Sequence, residues 1–252
     1  MRTLVVLPTY QEAANLAAVL RDLRQAVPSA TLLVVDDNSP DGTADVADAV
    51  GRKLGNIEIL RRAAKTGLAG AYCAGFAVGL ERGYDVIAHM DSDRSHDPAA
   101  LPALLAALEK ADMVIGSRYI AGGSIPDWPR WRRALSAGGN RYATLLLGLK
   151  VRDATSGFRV YRAELLRTVN PASLQADGYG FLIEMTHRVG RAGATTVEIP
   201  ITFSDRVEGS SKMSLPIVAE ALVLVTRLGI RGWSSRRRSK RSSTGEGLQP
   251  AP

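Results

Sequence analysis

The sequence predicts an α/β protein built on a mostly parallel β-sheet with helices on both faces. Short apolar runs that suit buried strands alternate, from residue 2 to residue 118, with segments that carry apolar residues at helical spacing. The connections between these segments are short, and polar residues follow the predicted strands. This alternation is typical of strand–helix–strand units in a parallel sheet.

The first predicted strand is RTLVVLP, and the helix after it places Leu16, Val19, Leu20, Leu23 and Val27 on one face. The order continues with strand TLLVVDD, turn NSPDGT, helix ADVADAV, strand IEILR, helix GLAGAYCAGFAVGLERG, strand DVIAHMD, helix PAALPALLAALEK and strand ADMVIGSRY. Five strands therefore precede the first break in the pattern.

The pattern changes after Arg118. Residues 119–133 (YIAGGSIPDWPRWRR) predict an irregular loop, a class of segment that is often functional. Then come a helix from Leu135 to Leu149, the segment VRDATSGFRVYR, a helix around GFLIEMTHRVG, the strand TTVEIPITF and the loop SDRVEGSSK. Residues 214–230 predict a C-terminal amphipathic helix, since Glu220 and Arg227 share one face and leave a broad apolar surface. Residues 1–232 are thus predicted to form one folded domain.

The net charge of +7 is uneven along the chain. From residue 231 onward six basic residues face one acidic residue, which leaves only +2 for residues 1–230. Residues 233–252 are rich in Ser, Gly and Pro and predict a disordered basic tail. One cysteine, Cys73, excludes a disulfide framework, and no apolar run is long enough to span a bilayer.

Polar residues gather where the predicted strands end: Pro8-Thr9-Tyr10, Asp36-Asp37, Arg61-Arg62, Asp91-Ser92-Asp93 and Gly116-Ser117-Arg118. Ligands of parallel sheets bind at these carboxyl ends, so a site is expected there. A dinucleotide-binding domain needs a Gly-x-Gly-x-x-Gly turn after the first strand. This chain has PTYQEAAN instead.

Asp91 and Asp93 are two positions apart, a spacing that points both carboxylates the same way in an extended segment. Such a pair suits a divalent cation that also binds substrate phosphates. The alternative is ordinary turn chemistry, with Asp97 capping the next helix. A calcium loop is excluded, because His96 and Pro102 occupy the positions of its Gly and Glu.

Eight motifs carry a resemblance to a known family. The segments VVLPTYQEAANL, LLVVDDNSPDGTADVA, AKTGLAGAYCAGF, MDSDRSHDP, MVIGSRYIAGG, VRDATSGFRVYR, GFLIEM and EIPITFSDRVEGSSKMS occur in order between residue 2 and about residue 232. Together they resemble the polyprenol (dolichol) phosphate mannosyltransferases of glycosyltransferase family 2. The resemblance implies a glycosyltransferase type-A fold, a GDP-mannose donor, a polyprenyl phosphate acceptor and Mg²⁺ or Mn²⁺.

The resemblance also implies roles for individual residues. It assigns donor binding to Pro8, Tyr10, Glu12, Asp36, Asp37, Asp91, Ser92, Asp93, Arg206 and Lys212. It assigns metal binding to Asp91 and Asp93. Ser95 is a poorer third ligand, at a position where some relatives carry Gln. For Glu12 the alternative is a residue favoured in a first helical turn, and for Asp37 it is turn chemistry. His96 lies near the ion or in a solvated loop, whereas His89 is expected to pack in the interior.

Acceptor binding is assigned, again by resemblance, to Arg118 and to a basic residue among Arg130, Arg132 and Arg133. Asp91, Asp93 and Arg118 are the predicted catalytic residues. For Arg132 and Arg133 the alternative is a solvated helix start. Since the second pKa of a phosphate monoester is about 6, the acceptor needs no general base, and a single displacement inverts the anomeric carbon.

A lipid-linked acceptor implies a protein bound peripherally to the cytosolic face of a membrane, with or without a membrane-protein tether. The amphipathic segment and the basic tail would support such binding. Two alternatives remain open: a family 2 transferase that uses another sugar nucleotide such as UDP-glucose, and a basic module that binds nucleic acid or lipid. The second is disfavoured, and no nucleic-acid partner is expected, because the basic run lies outside the folded region.

Overall fold

The computed structural model describes residues 1–174, 176, 178–205 and 222–230. The strands are β1 (Thr3–Thr9), β2 (Thr31–Asp36), β3 (Ile57–Arg61), β4 (Val86–His89), β5 (Met113–Ser117), β6 (Arg159–Arg162) and β7 (Thr196–Pro200). The helices are α1 (Ala13–Ala26), α2 (Thr43–Leu54), α3 (Leu68–Glu81), α4 (Leu101–Ala107), α5 (Arg130–Leu147), α6 (Ala163–Val169) and α7 (Gly178–Arg191). Residues 222–230 are also helical. The predicted α/β class is confirmed.

The strands of the described region form one sheet in the order β3-β2-β1-β4-β6-β5-β7. The pairs β1–β2, β1–β4, β2–β3 and β5–β7 are parallel. Strand β6 runs antiparallel between β4 and β5. The mostly parallel sheet is therefore confirmed, and β6 is its exception. Its short, largely buried sequence RVYR carries no signal for strand direction.

Successive side chains along each strand point to opposite faces of the sheet, and they contribute to two buried clusters, one on each face. The cluster that includes Val6, Tyr72 and Phe181 packs against α3 and α7. The cluster that includes Val5 and Leu16 packs against α1 and α4. Two layers of helices thus hold the central strands, and with them the loops at their ends.

Helix α3 lies very close to the sheet because it has glycine where it meets β1. A Cβ atom on Gly75 would overlap the side chain of Val6. Further along α3, a Cβ on Gly79 would come within 2.6 Å of Ile87 Cδ1. This close approach fixes the position of α3 relative to the central strands β1 and β4.

Helix α5 begins earlier than the sequence predicts. The prediction placed residues 119–133 in a loop, but α5 starts at Arg130, where the Pro129 carbonyl accepts from the backbone N–H groups of Arg132 and Arg133. The segment RWRR has no apolar periodicity, so its helical state was not visible in the pattern. The helix ends at Leu147 rather than Leu149, since Gly148 takes a left-handed conformation with φ 64°.

The predicted C-terminal segments lie largely outside the described residues. Of the amphipathic helix expected over residues 214–230, the structure describes residues 222–230, and the tail predicted over 233–252 falls outside it. None of the helices that the structure describes has the length and apolar character needed to cross a membrane.

The close packing of α3 on β1 gives a test of stability. We expect Gly75→Ala to lower the free energy of unfolding by about 1–3 kcal/mol, because the added methyl group must displace the stiff Val6 side chain. Urea unfolding followed by circular dichroism measures this difference.

Gly139→Ala is the matched control. A Cβ at this position of α5 would meet no atom within 4 Å, so alanine should stabilise the protein by about 0.5–1 kcal/mol through its lower conformational entropy in the unfolded chain. A Gly75→Ala variant as stable as the unmodified protein would contradict the close approach of α3 to β1.

Candidate active site

A cleft of about 240 Å³ opens at the carboxyl edge of β1, β2 and β4. Its walls come from the loops after these strands, the start of α3, the segment before β6 and the start of α7. Of the predicted site residues, the cleft brings together Pro8, Tyr10, Glu12, Asp37, Asp91, Ser92 and Asp93. Ser95, Arg118, Arg132 and Arg133 do not line it, and Arg206 and Lys212 lie outside the described residues.

The loop after β1 forms one wall of the cleft. The Tyr10 ring carries the Lys65 ammonium group 3.8 Å from its centroid, and both residues line the cleft. Glu12 Oε2 accepts a hydrogen bond from Asn15 Nδ2 at 3.0 Å, so Glu12 also serves the first turn of α1. The Ser92 hydroxyl donates to the Pro8 carbonyl at 2.9 Å and joins the β1 and β4 loops.

The two consecutive aspartates after β2 have different surroundings. Asp36 accepts from Thr9 Oγ1 at 3.0 Å and from Ser39 Oγ at 2.6 Å, and it closes the turn. Asp37 lines the cleft and accepts from Arg62 Nη1 at 2.6 Å. Asp37 is therefore placed to contact a ligand, whereas Asp36 holds the loop.

Three non-glycine residues with positive φ follow the strands that end at the cleft: Gln11 after β1 (φ 59°), Asn38 after β2 (φ 57°) and Arg94 after β4 (φ 65°). L-amino acids rarely adopt this conformation, and such strain concentrates at functional sites. Backbone contacts such as Gln11 N–H to Ser39 Oγ, at 3.0 Å, help to hold these loops.

Asp91 and Asp93 lie on the floor of the cleft. Asp91 Oδ1 accepts from the Tyr72 hydroxyl at 2.9 Å, and Asp93 Oδ1 accepts from the Ser95 hydroxyl at 2.6 Å. Burial raises the pKa of Tyr72 well above its usual range, and the Asp91 charge raises it further, so this hydroxyl stays protonated and donates. Ser95 is buried and supports Asp93, while its role as a metal ligand stays a prediction.

The donor set fits a divalent cation that takes further ligands from a substrate. Within the described residues no three His, Cys, Asp or Glu side chains are grouped to hold a metal. Asp91 and Asp93 both line the same cleft, which is open to a ligand. Mg²⁺ is usually held in this way, by one or two carboxylates together with phosphate oxygens and water.

His96 is not in a solvated loop, and that alternative is wrong. Its side chain is 1% exposed, and its ring lies between those of Phe158 and Phe203. Nδ1 lies 3.8 Å from Asp91 Oδ2. Burial lowers the pKa of His96, so the imidazole is neutral near pH 7. His89 is fully buried among aromatic rings, as predicted, and burial lowers its pKa still more strongly.

Arg118 forms a buried ion pair beside the cleft. Its Nε and Nη2 groups donate to the two oxygens of Asp153, each at 2.7 Å, and Nη2 also donates to Thr155 Oγ1 at 2.8 Å. Burial alone would raise the pKa of Asp153, but the Arg118 guanidinium outweighs it and lowers that pKa. Arg118 does not line the cleft itself, but it is hydrogen-bonded to Thr155, which does.

The basic residues at the start of α5, Arg130, Arg132 and Arg133, have different surroundings. The Arg132 guanidinium stacks 3.9 Å from the Trp128 ring centroid and contacts Asp205 Oδ1 at 3.2 Å. Trp128 Nε1 donates to the same oxygen at 2.7 Å. Arg130 and Arg133 are exposed at the start of α5. Their acceptor roles stay predictions.

Sequence reasoning missed several residues of the site. Tyr72, which bonds to Asp91, was assigned only to a helix, and Asp153 was not considered as a partner for Arg118. Lys65, Thr155, Gly157, Tyr179 and Leu182 also line the cleft. A signal existed for Thr155 and Gly157, because they belong to the motif VRDATSGFRVYR, which carried part of the family resemblance.

Comparisons with known proteins identify the family of this chain. A family model described as glycosyl transferase family 2 matches residues 4–169. The chain is 50% identical over 230 residues to undecaprenyl-phosphate mannosyltransferase of Micrococcus luteus, across 91% of this chain and 95% of that protein. It is 44% identical over 240 residues to polyprenol monophosphomannose synthase of Mycolicibacterium smegmatis, across 94% and 90% of the two chains.

Solved structures show the same fold. Mannosyl-3-phosphoglycerate synthase from Rubrobacter xylanophilus superposes with a TM-score of 0.63 at 18% identity, across 100% of this chain and 78% of that one. A mannosyltransferase from Pyrobaculum calidifontis, in complex with GDP-Man and Mn²⁺, superposes with a TM-score of 0.59 at 13% identity, across 98% and 76% of the two chains. These matches support the predicted type-A fold.

The Arg118–Asp153 pair gives a second test. We expect Asp153→Asn to lower the free energy of unfolding at pH 7 by about 3–5 kcal/mol, because the buried Arg118 charge loses its partner. Urea unfolding again measures the change. Asp45→Asn is the control, since Asp45 is 86% exposed beside Arg61 and an exposed pair contributes only about 0–1 kcal/mol.

The pH dependence checks the same assignment. The pKa of Asp153 is lower in the folded protein than in the unfolded chain, so the pair stabilises the fold above about pH 4. This contribution is lost as the pH falls through the lowered folded-state pKa. The difference in stability between the unmodified protein and Asp153→Asn should therefore shrink in acid. A difference that does not change with pH would contradict an ionised Asp153.

Proposed function

The chain belongs to glycosyl transferase family 2, and from that premise we propose that it transfers mannose from GDP-mannose to a polyprenyl phosphate, with inversion at the anomeric carbon. The observation that carries the proposal is the pair Asp91 and Asp93 on the floor of a cleft walled by Tyr10 and Asp37. Mannosyltransferase activity on polyprenyl phosphates is named for the two relatives that align over nearly the whole chain.

The donor nucleotide binds along the walls formed by the β1 and β2 loops. The Tyr10 ring offers an apolar face to the base, and Lys65 above it supplies a positive charge close to the bound nucleotide. Glu12 and Asp37 accept hydrogen bonds from base or ribose groups. The loop with Arg206 and Lys212 is proposed to contribute two more cations to the diphosphate.

The diphosphate end lies over Asp91 and Asp93. Mg²⁺ or Mn²⁺, held by these two carboxylates, would offset the negative charge that develops on the leaving GDP. The relative from Pyrobaculum calidifontis, solved with GDP-Man and Mn²⁺, supports a donor and cation of this type. Ser92 and Ser95 fix the loop that carries the aspartates.

The acceptor phosphate approaches from the side of Arg118 and the start of α5. A phosphate monoester has a second pKa of about 6, so at neutral pH its oxygen is already a nucleophilic dianion. That oxygen forms the new bond to the anomeric carbon as the bond to GDP breaks, and the electron pair leaves with the diphosphate. Arg118, held rigid by Asp153, and Arg132 or Arg133 reduce the repulsion between the two anions.

The lipid-linked acceptor places the protein at a membrane surface, which we propose to be the cytosolic face. Helix α5 exposes Trp131 (67%) and Leu145 (70%), together with Leu135 and Leu146. The helical residues 222–230 lie beside it, with Tyr142 and Thr226 hydroxyls 2.9 Å apart. Arg130 and Arg141 are exposed on α5 at the flank of this apolar surface. Apolar and basic groups on one surface complement an anionic bilayer.

Transfer activity is the direct test. We expect purified protein with labelled GDP-mannose, Mn²⁺ or Mg²⁺ and a polyprenyl phosphate to move label into a lipid extract. Asp93→Asn should lower the rate by about 100-fold or more, because a charge that stabilises the leaving diphosphate is lost. Asp97→Asn is the control, since Asp97 lies in the same loop but caps the turn at Ala99.

The outcome separates the alternatives. Label transferred from UDP-glucose rather than GDP-mannose would favour the second donor. No transfer from any sugar nucleotide, with acceptor shown to be competent by another enzyme, would end the proposal. An Asp93→Asn variant with the full transfer rate would contradict the proposed metal site but not the family assignment.

Membrane binding has its own test. We expect Arg130→Gln/Arg141→Gln to lower the partition coefficient onto phosphatidylglycerol vesicles, measured by sedimentation, by about tenfold or more, since each basic residue near an anionic surface contributes about 1 kcal/mol. Arg52→Gln/Lys53→Gln removes the same charge from exposed positions on α2. Equal losses in the two variants would show that net charge, rather than the α5 surface, directs binding.

A further inference from the structure

We propose that Tyr72 is a positioning residue, which orients the Asp91 carboxylate so that one of its oxygens is presented to the divalent cation. The inference rests on the proposed function, because it concerns the cation assigned there to Asp91 and Asp93. Tyr72 lies in α3, nineteen positions before Asp91. None of the patterns in the sequence connects the two residues.

The hydroxyl of Tyr72 is bonded to one carboxylate oxygen only. It donates to Asp91 Oδ1 at 2.9 Å. The Asp91 side chain is 29% exposed, so the carboxylate reaches the cleft while one oxygen is held from the interior. A carboxylate can rotate about its Cβ–Cγ bond, and this hydrogen bond sets its orientation.

The opposite side of the carboxylate is also confined. A Cβ atom on Gly157 would lie 3.1 Å from both Asp91 oxygens. That distance is tighter than ordinary van der Waals contact. The carboxyl group thus lies between the Tyr72 hydroxyl and the backbone of the loop that precedes β6. Glycine at position 157 leaves just enough room for it.

The Tyr72 ring itself has little freedom. It is fully buried, and its centroid lies 4.1 Å from that of His89, 6.1 Å from Phe76 and 6.0 Å from Phe181. Three elements, α3, β4 and α7, therefore fix the donor. Buried partners that orient metal ligands in this way typically contribute about 10–100-fold to metal affinity.

Tyr72→Phe isolates the hydroxyl, because phenylalanine keeps the ring packing. The readout is the ratio of the Kd for GDP measured in EDTA to the Kd measured with Mn²⁺, by titration calorimetry. We expect Tyr72→Phe to lower this ratio about tenfold while the Kd in EDTA stays the same. In the transfer reaction the Mn²⁺ concentration for half-maximal rate should rise about tenfold, with kcat at saturating Mn²⁺ close to that of the unmodified protein.

Tyr161→Phe is the matched control. Tyr161 is buried against the same His89 and loses the same hydroxyl, but that group lies 3.3 Å from His89 Nε2 rather than beside a carboxylate. The Kd ratio and the Mn²⁺ concentration for half-maximal rate should both be unchanged in this variant. A loss of equal size in Tyr161→Phe would show a general packing effect and overturn the inference.

Asp91→Asn distinguishes this inference from the proposed function. If Mn²⁺ strengthens GDP binding, Asp91→Asn abolishes the effect and Tyr72→Phe leaves it intact, then the metal site stands and the role of Tyr72 is refuted. If Mn²⁺ has no effect on GDP binding by the unmodified protein, the proposed metal site fails, and the role of Tyr72 fails with it.

Discussion

The cleft depends on one geometric constraint, the parallel pairing of β2 and β4 on either side of β1. The register pairs Thr9 with Asp36, so β1 and β2 end together, and it pairs Val6 with His89, so the segment after β4 runs beside the last residues of β1. Because side chains alternate across a strand, a shift of one residue would turn each polar group away from its present neighbours. Hydrogen bonds such as Ser92 to Pro8 then fix the loops to one another. The side of the cleft formed by the loops after β1, β2 and β4 follows from this arrangement.

The side of the cleft that carries Thr155 and Gly157 is built differently, by buried side chains that hold a short segment of backbone. Arg159 is fully buried and donates to the carbonyl groups of Ala154 and Ser156. Glu198 accepts from the N–H of Asp153 at 2.9 Å, and Asn140 Oδ1 accepts from the N–H of Ala154 at 2.9 Å. An irregular segment buried at a site needs partners of this kind for its backbone polar groups. They keep the partner of Arg118 in place without a regular strand or helix.

The difference between the two sides of the cleft explains which features the sequence could predict. The class of fold, the order of the first five strands and the grouping of Asp37, Asp91 and Asp93 follow from periodicity and from where strands end. The antiparallel direction of β6 and the bond between Tyr72 and Asp91 arise from packing between distant segments, which leaves no periodic signal. The burial of His96 was missed for the same reason, because Phe158 and Phe203, which enclose it, are far away in sequence.

The two apolar clusters on opposite faces of the sheet have a consequence for protein engineering. Tyr72 and Phe181 belong to the cluster beneath the cleft, whereas Leu16 and Leu104 belong to the other. Substitutions that do not share contacts usually combine additively in their effect on stability. A loss of stability caused by a substitution in the first cluster can therefore be offset by a stabilising substitution in the second. During directed evolution, stabilising substitutions in the second cluster would allow the protein to remain folded when substitutions near the cleft lower its stability.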